Sequence, residues 1–169
     1  ETIDWSAGEI LSTLKQAVLE SNTLVAFMSD NGPWLNLPDR MLAKENQRWH
    51  TGFKSLLRGW KGNTYEGGQR VPGILRWPGA IPARQVNADI ASTLDIFPTV
   101  CSAASLALPK DRPLDGFNLM PTLRGQAPSP RNNFFYFRSN MLEGFRRGRV
   151  VPLLHEDLRR CGEDALDTL

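Results

Sequence analysis

Two short polar segments hold the residues best suited to chemistry, and the first is Ser29-Asp30-Asn31-Gly32-Pro33. The carboxylate of Asp30 and the amide carbonyl of Asn31 are hard oxygen donors of the kind that Ca²⁺ and Mg²⁺ prefer. Gly32 lets the backbone turn so that both side chains can point the same way. The competing interpretation is a hairpin, because Asn-Gly is a strong turn signal, although no alternating strand returns after Pro33. A hard-metal site and a tight turn both stay open here.

The second segment, residues 57–68, places Lys61 between Gly59 and Gly62. A lysine framed by glycines can reach an oxyanion without steric hindrance from neighbouring Cβ atoms, which makes it a point charge for sulfate, phosphate or carboxylate. The glycine spacing and the Gly-Lys-Ser/Thr order of a Walker A loop are absent from this segment. For an isolated lysine the alternative is a solvated surface charge.

The other reactive residue types form no known catalytic pattern. His50 and His155 lie far apart in the sequence, and the chain has neither a Gly-x-Ser-x-Gly elbow nor a His-Glu-x-x-His motif. His50 is a candidate site residue by its place in the loop, against the simpler interpretation of a polar surface residue. Cys101 and Cys161 are too few and too isolated for a cysteine-based zinc site or a disulfide framework.

The elements that must position these segments are read from periodicity. Apolar residues recur every three or four positions over residues 3–19, which predicts an amphipathic helix with one buried face. The apolar run 23–28 follows and predicts a strand buried on both faces, directly before residues 29–33. We expect an ordered, site-building loop over 29–68 because it contains three tryptophans. Further predictions are strands near 71–79, 86–90 and 133–137, a helix from Ser92 to about Ser105 and a helix over 153–169. This order predicts an α/β fold.

Composition excludes several classes of protein. The 169 residues carry 20 Lys plus Arg against 18 Asp plus Glu, for a net charge of +2, without a basic block typical of nucleic-acid binding. No apolar run approaches the length that crosses a bilayer, and the first residues do not resemble a signal peptide. We therefore expect neither a nucleic-acid partner nor a membrane span. The compartment stays open.

Several segments together resemble the type I sulfatases of the alkaline phosphatase superfamily. Their order and spacing agree with the family pattern over roughly residues 1–145. The matching segments are Asp4-Trp5-Ser6-Ala7-Gly8, residues 22–33, residues 57–73, Arg76-Trp77-Pro78-Gly79, residues 92–99 and Leu114-Asp115-Gly116. The resemblance divides the chain into a partial catalytic domain, residues 1–148, and a tail, residues 149–169, that does not follow the pattern.

The resemblance implies an incomplete alkaline phosphatase-like α/β fold with a mixed or parallel sheet flanked by helices. It implies that Asp30 and Asn31 are ligands of a Ca²⁺ ion, with Mg²⁺ as the alternative, and that Lys61 contacts the substrate sulfate. The activity implied is hydrolysis of sulfate esters, in small molecules or sulfated glycans, by a formylglycine nucleophile. Such enzymes are commonly exported to the periplasm, the lysosome or the exterior.

The departure from the family concerns the nucleophile. Formylglycine arises from the first residue of Cys/Ser-x-Pro-x-Arg, and neither Cys101 nor Cys161 continues into that motif. We expect the chain to be the central-to-late part of a sulfatase and to be inactive alone. A non-catalytic sulfatase-like remnant that binds an anion or a partner is the alternative. A phosphatase or phosphodiesterase of the same superfamily is a third interpretation.

Overall fold

The computed structural model of the chain describes residues 2–42, 45–148 and 153–154. Its longer elements, in chain order, are α1 (Thr2–Gln16), β1 (Val25–Met28), α2 (Glu66–Gln69), β2 (Gly73–Arg76), α3 (Ile96–Ala103), α4 (Met120–Leu123), β3 (Asn133–Arg138), β4 (Met141–Arg147) and β5 (Leu153–Leu154). Short 3₁₀ turns cover Glu20–Asn22, Asp39–Met41, Arg48–Thr51 and Thr93–Asp95. The predicted α/β class is confirmed. No helix in these ranges is long and apolar enough to cross a bilayer.

The chain forms two compact units. The first comprises residues 1–27 and 74–131, and the second comprises residues 28–73 and 132–169. The long loop that carries both polar segments therefore belongs to the second unit, together with the hairpin of β3 and β4. The boundary between the predicted catalytic part and the tail falls at residues that the structure does not describe.

The helix predicted over residues 3–19 is present as α1, with Asp4 in its first turn and Lys15 in its last turn, where each charge suits the helix dipole. The expected buried face is wrong: no residue of α1, all of which is described, is buried. Ile3 keeps 70% of its surface exposed and Ile10 keeps 58%. Amphipathic spacing predicts a helix reliably, but burial needs a second element against its apolar face.

The strand predicted over residues 23–28 is present as β1, but it is not buried on both faces. Ala26 and Phe27 are exposed, and the ends of the strand are half-buried. Within the described residues β1 pairs with β2 alone in a two-stranded sheet. A continuous apolar run thus predicted the strand correctly and its environment incorrectly, because the covering layers come from other elements.

The core of the first unit is built around a buried ion pair. Asp95 is fully buried, and its carboxylate accepts hydrogen bonds from Nε of Arg131 at 2.9 Å and from the second guanidinium nitrogen at 2.5 Å. The backbone N–H groups of Ser92 and Phe117 also donate to this carboxylate, each over 2.8 Å. The predicted cap at Ser92 is confirmed, since Asp95 closes a capping box that leads into α3. The segment 92–99 thus has a structural role.

Two predictions of secondary structure fail in the later part of the chain. Residues 86–90 form no strand: the side chain of Asn87 accepts a bond from the N–H of Asp89, and the carbonyl of Ile90 accepts one from the hydroxyl of Ser129. These bonds replace a strand ladder. Leu153–Leu154 is a strand paired antiparallel with β4, where a helix was predicted. The rest of that predicted helix lies outside the described residues.

Candidate functional site

The segment after β1 prepares Asp30 to act as an anion. The backbone N–H of Asn31 donates to Oδ1 of Asp30 over 2.9 Å, and the hydroxyl of Ser29 donates to the carbonyl of Asn31 over 2.9 Å. Hydrogen bonding from the Asn31 side chain, and to a lesser degree the positive charge of Lys61, holds the pKa of Asp30 below its usual value. The carboxylate is therefore ionised at neutral pH and available to a cation.

The loop that carries Lys61 is closed by a tight turn. Gly59 has a φ of +82°, a conformation that favours glycine, and an added Cβ there would lie 2.3 Å from Oδ1 of Asn63. The N–H of Trp60 donates to the same Oδ1 atom over 3.4 Å, and the N–H of Asn63 donates back to the carbonyl of Trp60 over 3.3 Å. Lys61 thus stands at the tip of a turn that its neighbours fix in place.

Glycines bring the two polar segments into backbone contact. The N–H of Gly32 donates to the carbonyl of Gly68 over 3.0 Å, and a Cβ at Gly32 would lie only 1.8 Å from the carbonyl oxygen of Gly67. Gly67 and Gly68 are themselves buried in α2. A side chain at Gly32 would push the two segments apart, and one at Gly67 or Gly68 would clash with backbone carbonyls of the same loop, which is the physical reason for glycine at each.

Lys61 contacts the end of the first segment and the residue after it, through its backbone and through its side chain. Its backbone N–H donates to the carbonyl of Pro33 over 2.9 Å. Its Nζ atom lies 5.2 Å from the centre of the Trp34 ring, within the range of a cation–π interaction. The structure therefore places Lys61 beside Asp30 and Asn31, although about thirty positions separate them in the sequence.

These residues line a common cavity of about 600 Å³ in the second unit. The polar residues in its lining are Ser29, Asp30, Asn31, Thr51, Lys54, Ser55, Lys61 and Arg70. The larger apolar residues in its lining are Pro33, Trp34, Phe53, Leu57, Val71 and Pro72. Three cations face one carboxylate among these side chains, so the cavity favours an anionic ligand.

His50 is not among the residues that line this cavity. Its Nδ1 atom accepts a hydrogen bond from the N–H of Gln47 over 3.2 Å, which completes a capping box on a 3₁₀ turn. Its ring meets Trp49 edge-on, with ring centres 6.0 Å apart. In the described structure His50 therefore shapes the loop, and its neighbour Thr51 reaches the cavity. A substrate contact by His50 stays a prediction.

Sequence reasoning missed Lys54 and Arg70 as cavity residues. Nζ of Lys54 donates to the carbonyl of Leu57 over 2.5 Å, so part of its hydrogen-bonding capacity is used within the loop. Arg70 lies 3.7 Å from Glu66 and keeps 58% of its side chain exposed. Arg70 belonged to a quoted motif, residues 57–73, whereas Lys54 carried no signal in the sequence.

The oxygen donors fit a hard cation in kind but not in number. Asp30 and Asn31 offer one ionised carboxylate and one amide oxygen, while Ca²⁺ takes about six to eight oxygen ligands. Within the described ranges no group of three or more His, Cys, Asp or Glu residues could hold a metal ion. These two side chains can therefore supply part of a calcium site.

Strand β4 of the β3–β4 hairpin forms two hydrogen bonds with residues that follow Lys61 in its loop. The hydroxyl of Thr64 donates to Oε2 of Glu143 over 2.9 Å, and the guanidinium of Arg146 donates to Oε1 of Glu66 over 2.5 Å. Tyr136 is buried beside this pair, and burial raises the pKa of its phenol. Two polar links, one from Thr64 just before α2 and one from Glu66 at its start, thus connect the loop to a paired sheet.

Comparison with known proteins was consistent across three kinds of relative. A family model described as Sulfatase matches residues 1–106. The chain is 41% identical to steryl-sulfatase of Rattus norvegicus over 140 residues, which cover 83% of this chain and 23% of that protein. It is 40% identical to N-acetylgalactosamine-6-sulfatase of Canis lupus familiaris over 147 residues, covering 87% of this chain and 26% of that protein.

Among solved structures, the PsFucS1 sulfatase from Pseudoalteromonas sp. superposes with a TM-score of 0.69 at 31% identity. The match covers 83% of this chain and 26% of that one. The chain thus spans about a quarter of the length of the curated relatives it matches.

Proposed function

This chain belongs to the sulfatase family, and on that premise we propose that the protein carrying it hydrolyses sulfate esters and that the cavity in the second unit receives the sulfate group. The observation that carries the proposal is the position of Lys61. Its backbone is bonded to Pro33 and its ammonium lies over Trp34, so a fixed cation shares one cavity with Asp30 and Asn31.

Lys61 is proposed to act by electrostatics. Cleavage of a sulfate ester places developing negative charge on the sulfuryl and leaving oxygens, and a preorganised cation stabilises that charge without reorganising during the reaction. The glycines beside Lys61 leave room for this approach, since a Cβ at Gly62 would meet nothing within 4 Å. The lysine needs no proton transfer in this role.

Asp30 and Asn31 are proposed to hold part of a Ca²⁺ site. The lowered pKa of Asp30 keeps the carboxylate charged, which is the form that binds metal. A cation bound there would polarise a sulfuryl oxygen as a Lewis acid. Because the chain spans about a quarter of its relatives, we assign the other ligands and the formylglycine nucleophile to parts of the protein beyond these 169 residues.

The substrate is proposed to be a sulfate ester of a small molecule or of a glycan. The names of the two relatives point to a sterol and an amino sugar as alcohol parts. The cavity could receive either kind, because its lining contains both polar and apolar side chains. The sulfate group is the feature that both share, and Lys61 is the residue proposed to recognise it.

The test uses the 169-residue chain and two probes. Sodium sulfate should perturb the NMR signals of residues 29–34 and 59–62 in the wild type, and in Lys61→Met it should do so only at much higher concentration, with sodium chloride at equal ionic strength as the control. Sodium phosphate, run in parallel, separates a sulfate site from a phosphatase-like one. Wild-type affinity for sulfate in Lys61→Met would contradict the proposal.

A second assay tests the expected inactivity of the isolated chain. Neither cysteine begins a Cys-x-Pro-x-Arg motif, so 4-nitrophenyl sulfate should not be hydrolysed. Turnover that disappears in Lys61→Ala would show that these residues suffice for catalysis and would overturn this part of the proposal. Calcium should bind weakly and lose its effect on the spectrum in Asp30→Ala, because one carboxylate leaves most of the ligand shell to water.

A further inference from the structure

Trp34 stands where the two site-forming segments meet. Pro33 accepts the backbone N–H of Lys61 over 2.9 Å, and the next residue, Trp34, places its ring centre 5.2 Å from Nζ of the same lysine. The consecutive residues Pro33 and Trp34 therefore constrain Lys61 at its backbone and at its ammonium group. Trp34 and Lys61 are both half-buried and both line the cavity.

An aromatic ring suits this task better than a carboxylate would. A carboxylate partner would neutralise the ammonium and compete with an incoming anion for its N–H donors. A ring face attracts the cation through its quadrupole and leaves the net charge in place. In the described ranges Lys61 forms no ion pair within 4.0 Å, and Asp30 acts on it only as a more distant charge, so the indole is a direct contact that can restrain its flexible side chain.

From this geometry we propose that Trp34 is a positioning residue for Lys61: its ring holds the ammonium inside the cavity with its charge available to a sulfate oxygen. The inference rests on the proposed function, in which Lys61 binds sulfate. It adds a residue that touches the lysine and determines how much of the time the cation points into the site.

The experiment is a double-mutant cycle on the 169-residue chain, with sodium sulfate as the probe at constant ionic strength. The variants are Trp34→Phe, Trp34→Leu, Lys61→Met and the double variant Trp34→Leu/Lys61→Met. Trp49→Leu is the matched control, since Trp49 is 74% exposed and does not line the cavity. Sulfate affinity is followed by NMR, and the indole Nε1–H of Trp34 reports on the ring itself.

Trp34→Leu should weaken sulfate binding roughly three- to tenfold, the range of a partly desolvated cation–π contact, and Trp34→Phe should weaken it less. In the Lys61→Met background Trp34→Leu should cause no further loss, since the ring then has no cation to hold. The indole signal of Trp34 should move in Lys61→Met. Trp49→Leu should bind sulfate as the wild type does.

The outcomes separate the two proposals. Unchanged affinity in Lys61→Met would overturn the proposed role of the lysine and this inference with it. A large loss in Lys61→Met, combined with wild-type affinity in Trp34→Leu or with additive losses in the double variant, would overturn only the role of Trp34. If Trp34→Leu does not fold, Trp34→Phe is tested in its place. It must weaken sulfate binding in the chain that retains Lys61 and cause no further loss in the Lys61→Met background.

Discussion

The backbone N–H of Gly32 donates to the carbonyl oxygen of Gly68 over 3.0 Å, and this bond joins the two polar segments of the site. A Cβ at Gly32 would lie 1.8 Å from the carbonyl oxygen of Gly67 in the other segment, and one at Gly68 would lie 2.4 Å from the carbonyl oxygen of Trp60 in its own loop. Backbone packing therefore helps to place Lys61 beside Asp30, in addition to the attraction between their charges.

Gly32→Ala should disrupt the site. The added methyl would lie 1.8 Å from the carbonyl oxygen of Gly67, so one segment must shift. We expect the unfolding free energy to fall by about 1–3 kcal/mol, the usual cost of overpacking, and sulfate binding to be lost. Urea denaturation and sulfate titration measure the two effects. Gly8→Ala is the control: a Cβ there meets nothing within 4 Å, and alanine should stabilise α1 by up to about 1 kcal/mol. Equal stability in Gly32→Ala and the wild type would contradict the close packing described here.

The buried pair of Asp95 and Arg131 should be sensitive to loss of either partner. The side chain of Asp95 is fully buried and that of Arg131 is 6% exposed, so Arg131→Met leaves a fully buried carboxylate with fewer donors. We expect a loss of about 3–5 kcal/mol in unfolding free energy. Arg112→Met is the matched control, because its pair with Asp111 is exposed to solvent and its loss should change stability little. Comparable losses in the two variants would show that burial does not set the strength of the first pair.

The link between Glu66 and Arg146 should couple the hairpin to the Lys61 loop. Both side chains are largely buried, at 23% and 17% exposure, and Arg146→Met removes a charged donor from Glu66. We expect the unfolding free energy to fall by about 1–3 kcal/mol and the NMR signals of residues 58–68 to broaden. In a double-mutant cycle with Glu66→Gln, the combined loss should be smaller than the sum of the two single losses. Additive losses would contradict a direct link.

The titration of Asp30 gives a test by pH. Its pKa is lowered, first by hydrogen bonding from Asn31 and less by the charge of Lys61. Because the folded-state pKa lies below the unfolded one, the interaction stabilises the fold at pH above the ordinary aspartate value and is lost as pH falls through the folded value. Carboxyl ¹³C titration should show a higher pKa in Asn31→Ala and a smaller rise in Lys61→Met. A larger rise in Lys61→Met than in Asn31→Ala would reverse the assigned order of causes.

Local patterns in the chain predicted several of its elements and its family, although they missed β4 and predicted a strand over residues 86–90 that is absent. Three- and four-residue spacing predicted α1, an apolar run predicted β1, and the Ser92 cap with Asp95 predicted the start of the helical segment that continues as α3. The motifs in residues 22–33 and 57–73 indicated the sulfatase family, which the family model confirms. These features are local because capping, helical periodicity and turn chemistry each involve residues a few positions apart.

Only the tertiary structure decided what lies next to what. The burial expected for α1 and β1 was wrong in this chain, since burial depends on elements that no periodicity specifies. Three sets of contacts join residues that are distant in sequence. They are the contact of Trp34 with Lys61, the hydrogen bonds of Glu143 and Arg146 to the loop, and the backbone bond of Gly32 to Gly68. The residue types showed which chemistry was available, whereas long-range backbone contacts determined that Asp30, Asn31 and Lys61 share one cavity.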